Sequence, residues 1–135
     1  MQGEGTGRER LTTVTKNVLI LESDEFYIEV IGTFVRLFLQ YDFVPTKTVP
    51  EAFQRVEENK PDLILVDLDL EGHPATDFTE KMRDDCDTKS IPIIAIAQDE
   101  KLRDKALGAG CSAFITKPFK IRELEALIGK LLSGN

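Results

Sequence analysis

The sequence predicts a single α/β domain built on a doubly wound, five-stranded parallel sheet with helices on both faces, and three observations carry that expectation. Short apolar runs alternate five times with stretches of helical spacing, the pattern that parallel strands joined by crossover helices produce. Three of the runs are continuously apolar, as strands covered on both faces must be. Charged residues cluster where the runs end, and open parallel sheets form their sites outside the carboxyl ends of the strands.

The apolar runs occupy residues 18–21, 63–66, 91–97 and 113–116, with a weaker one at 43–44. Pro45 follows the weak run and has no N–H for a ladder, which places that strand at an edge. Helical spacing covers residues 24–40, 50–58, 76–83, 100–107 and 121–132. Thr48 stands three residues before Glu51 with Pro50 between them, a capping-box arrangement. Gly108 and Gly134 sit where helices commonly stop.

The first helix has an unusual profile. Glu25, Glu29, Gly32, Arg36 and Gln40 form one narrow polar stripe, and nearly everything else is apolar, well beyond the roughly 100° that one buried face requires. Tyr27, Ile31, Phe34 and Phe38 suffice to dock it. The remaining apolar arc is expected to lie under neighbouring loops or under the start of the chain, with a contact surface for another chain as the alternative reading.

A chain of 135 residues, 41% of them hydrophobic, has the size of one domain. Residues 1–15 are rich in Gly, Thr and charge without an apolar period and read as a flexible tail or linker; residues 16–135 form the domain. A net charge of −7 gives no electrostatic support for binding nucleic acid or an anionic membrane, so protein partners are expected. Cys86 and Cys111 have neither the density of a disulfide scaffold nor the spacing of a zinc site. No apolar run reaches the roughly 20 residues of a membrane span, and a cytoplasmic setting is expected.

The residues after the runs are Glu22-Ser23-Asp24, Asp67-Leu68-Asp69, Ala97-Gln98 and Lys117-Pro118. Carboxylates from two strand ends can hold a hard cation such as Mg²⁺, which commonly takes one or two protein carboxylates and keeps several waters. A lysine beside them balances charge. If one carboxylate is to attack a phosphoryl group, cation and lysine together screen both negative partners. These are the parts of an aspartyl-phosphate site.

In order along the chain, four segments resemble the receiver domains of two-component response regulators. They are residues 17–22 (NVLILE), 61–72 (PDLILVDLDLEG), 91–96 (IPIIAI) and 108–119 (GAGCSAFITKPF), and the resemblance spans nearly everything from Asn17 to Leu132. It implies a flavodoxin-like sheet of order 2-1-3-4-5 and a module of phosphorelay signalling that is not itself an enzyme. Asp67 would accept a phosphoryl group from a histidine kinase or phosphotransfer protein. Glu22, Asp67 and the backbone carbonyl of Asp69 would ligate Mg²⁺, and Lys117 would contact the phosphoryl oxygens. Phe114 matches the aromatic position that repacks when the family switches. Lys117-Pro118 implies the family's unusual peptide geometry. Output would pass to a downstream protein partner, and a homodimer is a further option.

Two positions depart from that pattern. Ser23 stands where the family has its metal-binding aspartate, and Asp24, one residue late, is expected to cap the following helix. Ala97 replaces the family's Ser or Thr, whose hydroxyl bonds a phosphoryl oxygen; Gln98 reaching back is the lesser alternative. A hydrogen bond to a charged oxygen is worth roughly 1.5–3 kcal/mol, comparable with the gap of many two-state switches. Ser23 and Ala97 therefore support a second reading, a degenerate receiver serving as a phosphorylation-independent scaffold. His73, in the turn 71–74, has no second histidine and reads as solvated. A flavin carrier is opposed by the acids at Glu22 to Glu25 and by the lack of a Gly-rich phosphate loop.

Overall fold

The computed structural model describes residues 15–70 and 75–133. Its strands are β1 (Asn17–Leu21), β2 (Asp42–Thr46), β3 (Leu63–Asp67), β4 (Ile93–Ala97) and β5 (Ala113–Thr116), all parallel, in the order β2-β1-β3-β4-β5. The helices are α1 (Glu25–Thr33), α2 (Val49–Glu58), α3 (Ala75–Asp84), α4 (Arg103–Ala109) and α5 (Ile121–Leu132). This is the expected doubly wound α/β architecture with β2 at one edge. All but Thr15 of the expected tail, together with His73 and Gly134, lie outside the described residues.

Alternation along the strands divides the core into two layers. Leu19, Leu21, Ile64, Val66, Ile93 and Ala95 pack with Val49, Ala52 and Val56 of α2, Phe78 and Met82 of α3, and Ala106 of α4. Val18, Ile20, Leu63, Leu65, Ile94 and Ile96 face the other way, onto Ile31 of α1 and Leu124 and Ile128 of α5. β3 and β4 are buried along their whole length, which is why β4 is an unbroken apolar run and β3 is one up to Asp67 at its end. Burial of both faces makes strand register costly to change, and it sets the residues that end each strand side by side.

Helix starts follow local chemistry. Asp24 caps α1, its carboxylate accepting the Phe26 N–H at 2.9 Å, in the role expected for it. Thr48 caps α2 by accepting from Glu51 N–H, while the Glu51 carboxylate reaches back to the N–H of Lys47. Gly108 does not end its helix. It lies within α4, and the stop is Gly110 at φ 114°, a left-handed conformation that a side chain would strain. The tail of that helix is held by Arg83 of α3, which donates to the carbonyls of Gly110 and Ile91, both at 2.8 Å.

The first helix departs from the expected span of residues 24–40. α1 ends at Thr33 and passes into a π-helical turn, Phe34–Phe38, closed by Leu39 N–H to Phe34 O at 3.3 Å, after which Gln40 at φ 59° turns the chain toward β2. The wider turn shifts the angular register of the residues that follow it. Phe38, expected to dock, is instead 75% exposed, and Phe26 and Leu37 are 65% and 67% exposed. Deep cover over the apolar arc is thus not found among the described residues. Phe26 and Phe38 line an apolar groove with Val30, Phe34 and Ile121 of α5. Gly32, placed by its spacing in the polar stripe, is buried, and a Cβ there would meet the Phe43 ring at 2.3 Å.

Candidate functional site

The order of the sheet reverses between β1 and β3, and the strand ends near that point carry the expected residues. Glu22 follows β1, Asp67 ends β3, Ala97 ends β4 and Lys117 follows β5. Glu22 is positioned by its own N–H, which continues the ladder to Thr46 O of β2 at 2.9 Å. The Lys117 N–H does the same to Ala97 O at 2.8 Å, and the Lys117–Pro118 peptide bond is cis. The sheet therefore delivers one acid from each of two neighbouring interior strands, β1 and β3, and one lysine from the edge strand β5 into a common space.

Lys117 Nζ lies 3.0 Å from Glu22 Oε1 and 3.5 Å from Asp67 Oδ2, and all three side chains are almost wholly buried. Burial, reinforced by a hydrogen bond with the Asp67 side chain, pushes the Glu22 carboxyl up to about 7; the Asp24 N–H at 3.0 Å and Lys117 pull the other way. Burial also works against the Lys117 ammonium. The close Glu22 carboxylate and the charge of Asp67 outweigh it and raise the lysine's pKa. Glu22 Oε1 is buried with no well-directed hydrogen bond despite its closeness to Nζ. Two acids thus compete for one ammonium, and the pocket is short of positive charge.

Among the described residues no group of three or more carboxylate, His or Cys side chains stands ready for a metal ion. Two buried carboxylates with a buried oxygen lacking a donor nevertheless fit the modest protein share that Mg²⁺ takes. Ser23 is exposed beside them and brings no charge.

On the β4 side the chemistry is neutral. Ala97 is fully buried and presents only a methyl group. The Gln98 N–H next to it is occupied by the Asp69 carboxylate at 2.9 Å, while the Asp69 N–H donates to Asp67 Oδ1, also at 2.9 Å. Asp69 was expected to act through its carbonyl; its side chain ties the β3 turn to the loop after β4. Phe114 is buried in the same core layer as Ala97, with the Arg103 guanidinium 4.9 Å from its ring centroid.

One residue near the pocket is absent from the expected set. Tyr27 of α1 places its ring centroid 4.4 Å from Lys117 Nζ and packs on Phe119 at 5.7 Å. Its spacing marked it only as a docking residue, and nothing in the order of the chain brings it to Lys117.

The family model described as "Response regulator receiver domain" matches residues 18–129. The chain is similar to the polar-differentiation response regulator DivK of Brucella ovis, 29% identical over 114 residues that cover 80% of this chain and 89% of that protein. It is also similar to the receiver domain of the sensor histidine kinase PA1611 from Pseudomonas aeruginosa PAO1, solved with a magnesium ion coordinated in its active-site cleft. That match has a TM-score of 0.80 at 24% identity, over 89% of this chain and 99% of the other. The receiver domain of Saccharomyces cerevisiae Ssk1, solved with the phosphotransfer protein Ypd1, matches with a TM-score of 0.76 at 24% identity, over 87% and 88% of the two chains.

Proposed function

The chain belongs to the response regulator receiver domain family and is a module of two-component phosphorelay signalling, and on that premise we propose that Asp67 is its phosphoacceptor. The observation that carries the proposal is the buried set of Glu22, Asp67 and Lys117, with Asp67 Oδ2 3.5 Å from the lysine. An Asp67 carboxylate oxygen attacks phosphorus of a phosphohistidine, the P–N bond breaks, and the imidazole leaves with the electron pair. Lys117 offsets the negative charge that gathers on the phosphoryl oxygens.

Glu22, Asp67 and the Asp69 carbonyl are the residues that would hold Mg²⁺, an ion that neutralises charge between acceptor and phosphoryl group. The shortage of positive charge at Glu22 supports this assignment, and PA1611 carries magnesium in its own cleft. The donor would be a histidine kinase or phosphotransfer protein, by analogy with the pairing of Ssk1 and Ypd1. Output passes to a further protein, for which the exposed Phe26 and Phe38 offer apolar surface. No helix among the described residues is long and apolar enough to cross a membrane, and we place the protein in the cytoplasm.

A phosphorylation-independent scaffold is not favoured, because the acid and lysine side chains are assembled and buried rather than dispersed. The test is labelling with a small phosphodonor such as acetyl phosphate in the presence of Mg²⁺. The wild type gains an acid-stable, base-labile phosphoryl group and Asp67→Asn gains none. Equal labelling of the two proteins refutes the assignment.

A further inference from the structure

The ammonium of Lys117 has a third neighbour besides its two carboxylates. The Tyr27 ring lies with its centroid 4.4 Å from Nζ, well inside the roughly 6 Å over which an aromatic face attracts a cation. We propose that Tyr27 is the positioning residue for Lys117, an aromatic wall that holds the ammonium between Glu22 and Asp67 and presents it to the phosphoryl group. The inference rests on Asp67 being the acceptor and adds the group that aims its lysine.

Three observations support it. First, the lysine side chain is 6% exposed, so its attraction to the ring is little screened by water. Second, the ring is itself held. Phe26 meets it edge-on at 5.3 Å from its own helix, and Phe119, just past Pro118, packs against it at 5.7 Å. Tyr27 therefore joins α1 to the segment that carries the lysine. Third, the carboxylates stand at 3.0 and 3.5 Å from Nζ, so the ammonium is drawn more closely to Glu22 than to the acceptor. The Tyr27 ring stands beside the same ammonium as its third, uncharged neighbour. When a phosphoryl group joins Asp67, the ammonium can shift from Glu22 toward the new oxygens while keeping the ring as its third contact. Without the ring, a long and flexible side chain would have to be ordered anew at each transfer.

The experiment uses the full chain with acetyl phosphate and Mg²⁺ and measures the rate constant for labelling. Tyr27→Phe keeps the ring and is expected to stay within about twofold of the wild type, whereas Tyr27→Leu is expected to be about tenfold slower. The deciding series places phenylalanine, then mono-, di- and trifluorophenylalanine at position 27. Fluorine withdraws π charge at nearly constant shape, so the logarithm of the rate should fall stepwise along the series, a trend a packing role would not produce. Equal rates across the series overturn the proposal. If the wild type takes no label, the acceptor assignment has failed instead, and the Lys117 Hε proton resonances then decide on Tyr27. Upfield ring-current shifts in the wild type that vanish in Tyr27→Leu uphold it, and unchanged shifts overturn it.

Discussion

The two sides of the candidate pocket are built from different materials. On the side formed by β1, β3 and β5, two carboxylates crowd one ammonium inside 3.5 Å, all buried. On the β4 side stand a buried methyl group, Ala97, and a backbone N–H already taken by Asp69. The first side has what capturing an anionic group requires, since charge pairs in a dry cleft act strongly. The second offers a methyl group at position 97, where the receiver resemblance implies a hydroxyl, and on the proposed reading it couples a captured phosphoryl group only weakly to the following loop. The contrast separates binding from switching: a receiver can keep the means of accepting a phosphoryl group while its coupling to the β4 loop is weak.

The charged side is broken most severely at Lys117. Lys117→Ala leaves two buried acids without a counter-charge, and removing one partner of a buried ion pair costs roughly 3–5 kcal/mol. Urea titration at pH 8 should show a loss of that size, and labelling of Asp67 should fall with it. A stability within error of the wild type would mean that the pair is solvated.

Next in size is the pH dependence that Glu22 imposes. Its carboxyl is pushed up to about 7 in the fold, against 4.5 for an ordinary glutamate. A group raised in the folded state contributes stability below its unfolded pKa and loses it as pH climbs through the folded one. The metal-free protein should therefore lose stability between about pH 4.5 and 7 through this group, by on the order of 3 kcal/mol at 1.36 kcal/mol per unit. Glu22→Gln should remove that component, which is read as the difference between the two stability profiles. Parallel profiles would contradict it. The raised lysine adds nothing in this window, because its own contribution is lost only above pH 10.5.

The smallest expected effect sharpens the β4 side. Ala97→Thr places a hydroxyl at the end of β4 and, with Asp67 as the proposed acceptor, should favour the phosphoryl-bound state by roughly 1.5–3 kcal/mol. With beryllofluoride and Mg²⁺, amide shifts in the wild type should centre on Asp67, and those of the threonine variant should extend through Gln98 to Phe114. If the wild type already shows the extended pattern, Asp69 and Gln98 are transmitting the signal without a hydroxyl.

Much of the fold was legible in the chain because both faces of its sheet are buried. β4 had to be apolar throughout and β3 as far as Val66, and Pro45 marked the edge strand. The cap of α1 was equally readable, since Asp24 acts on an N–H two residues away. Less legible was the end of the first helix, where the apolar spacing runs on while the backbone widens into a π turn and leaves Phe38 exposed. Gly110 rather than Gly108 ends α4 because a left-handed position depends on where the helix reaches Arg83 and β5, which spacing does not disclose.

The linear order of residues determined the α/β class, the edge placement of β2 and the identities of Glu22, Asp67, Ala97 and Lys117, because each depends on burial patterns or on residues next to a strand end. Only the tertiary structure decided how those residues meet. The 3.0 Å approach of Lys117 to Glu22, the Asp69 tie to Gln98 and the Tyr27 ring beside the ammonium join segments that are distant in sequence. Such contacts arise from the packing of helices on a twisted sheet, and no local propensity encodes them.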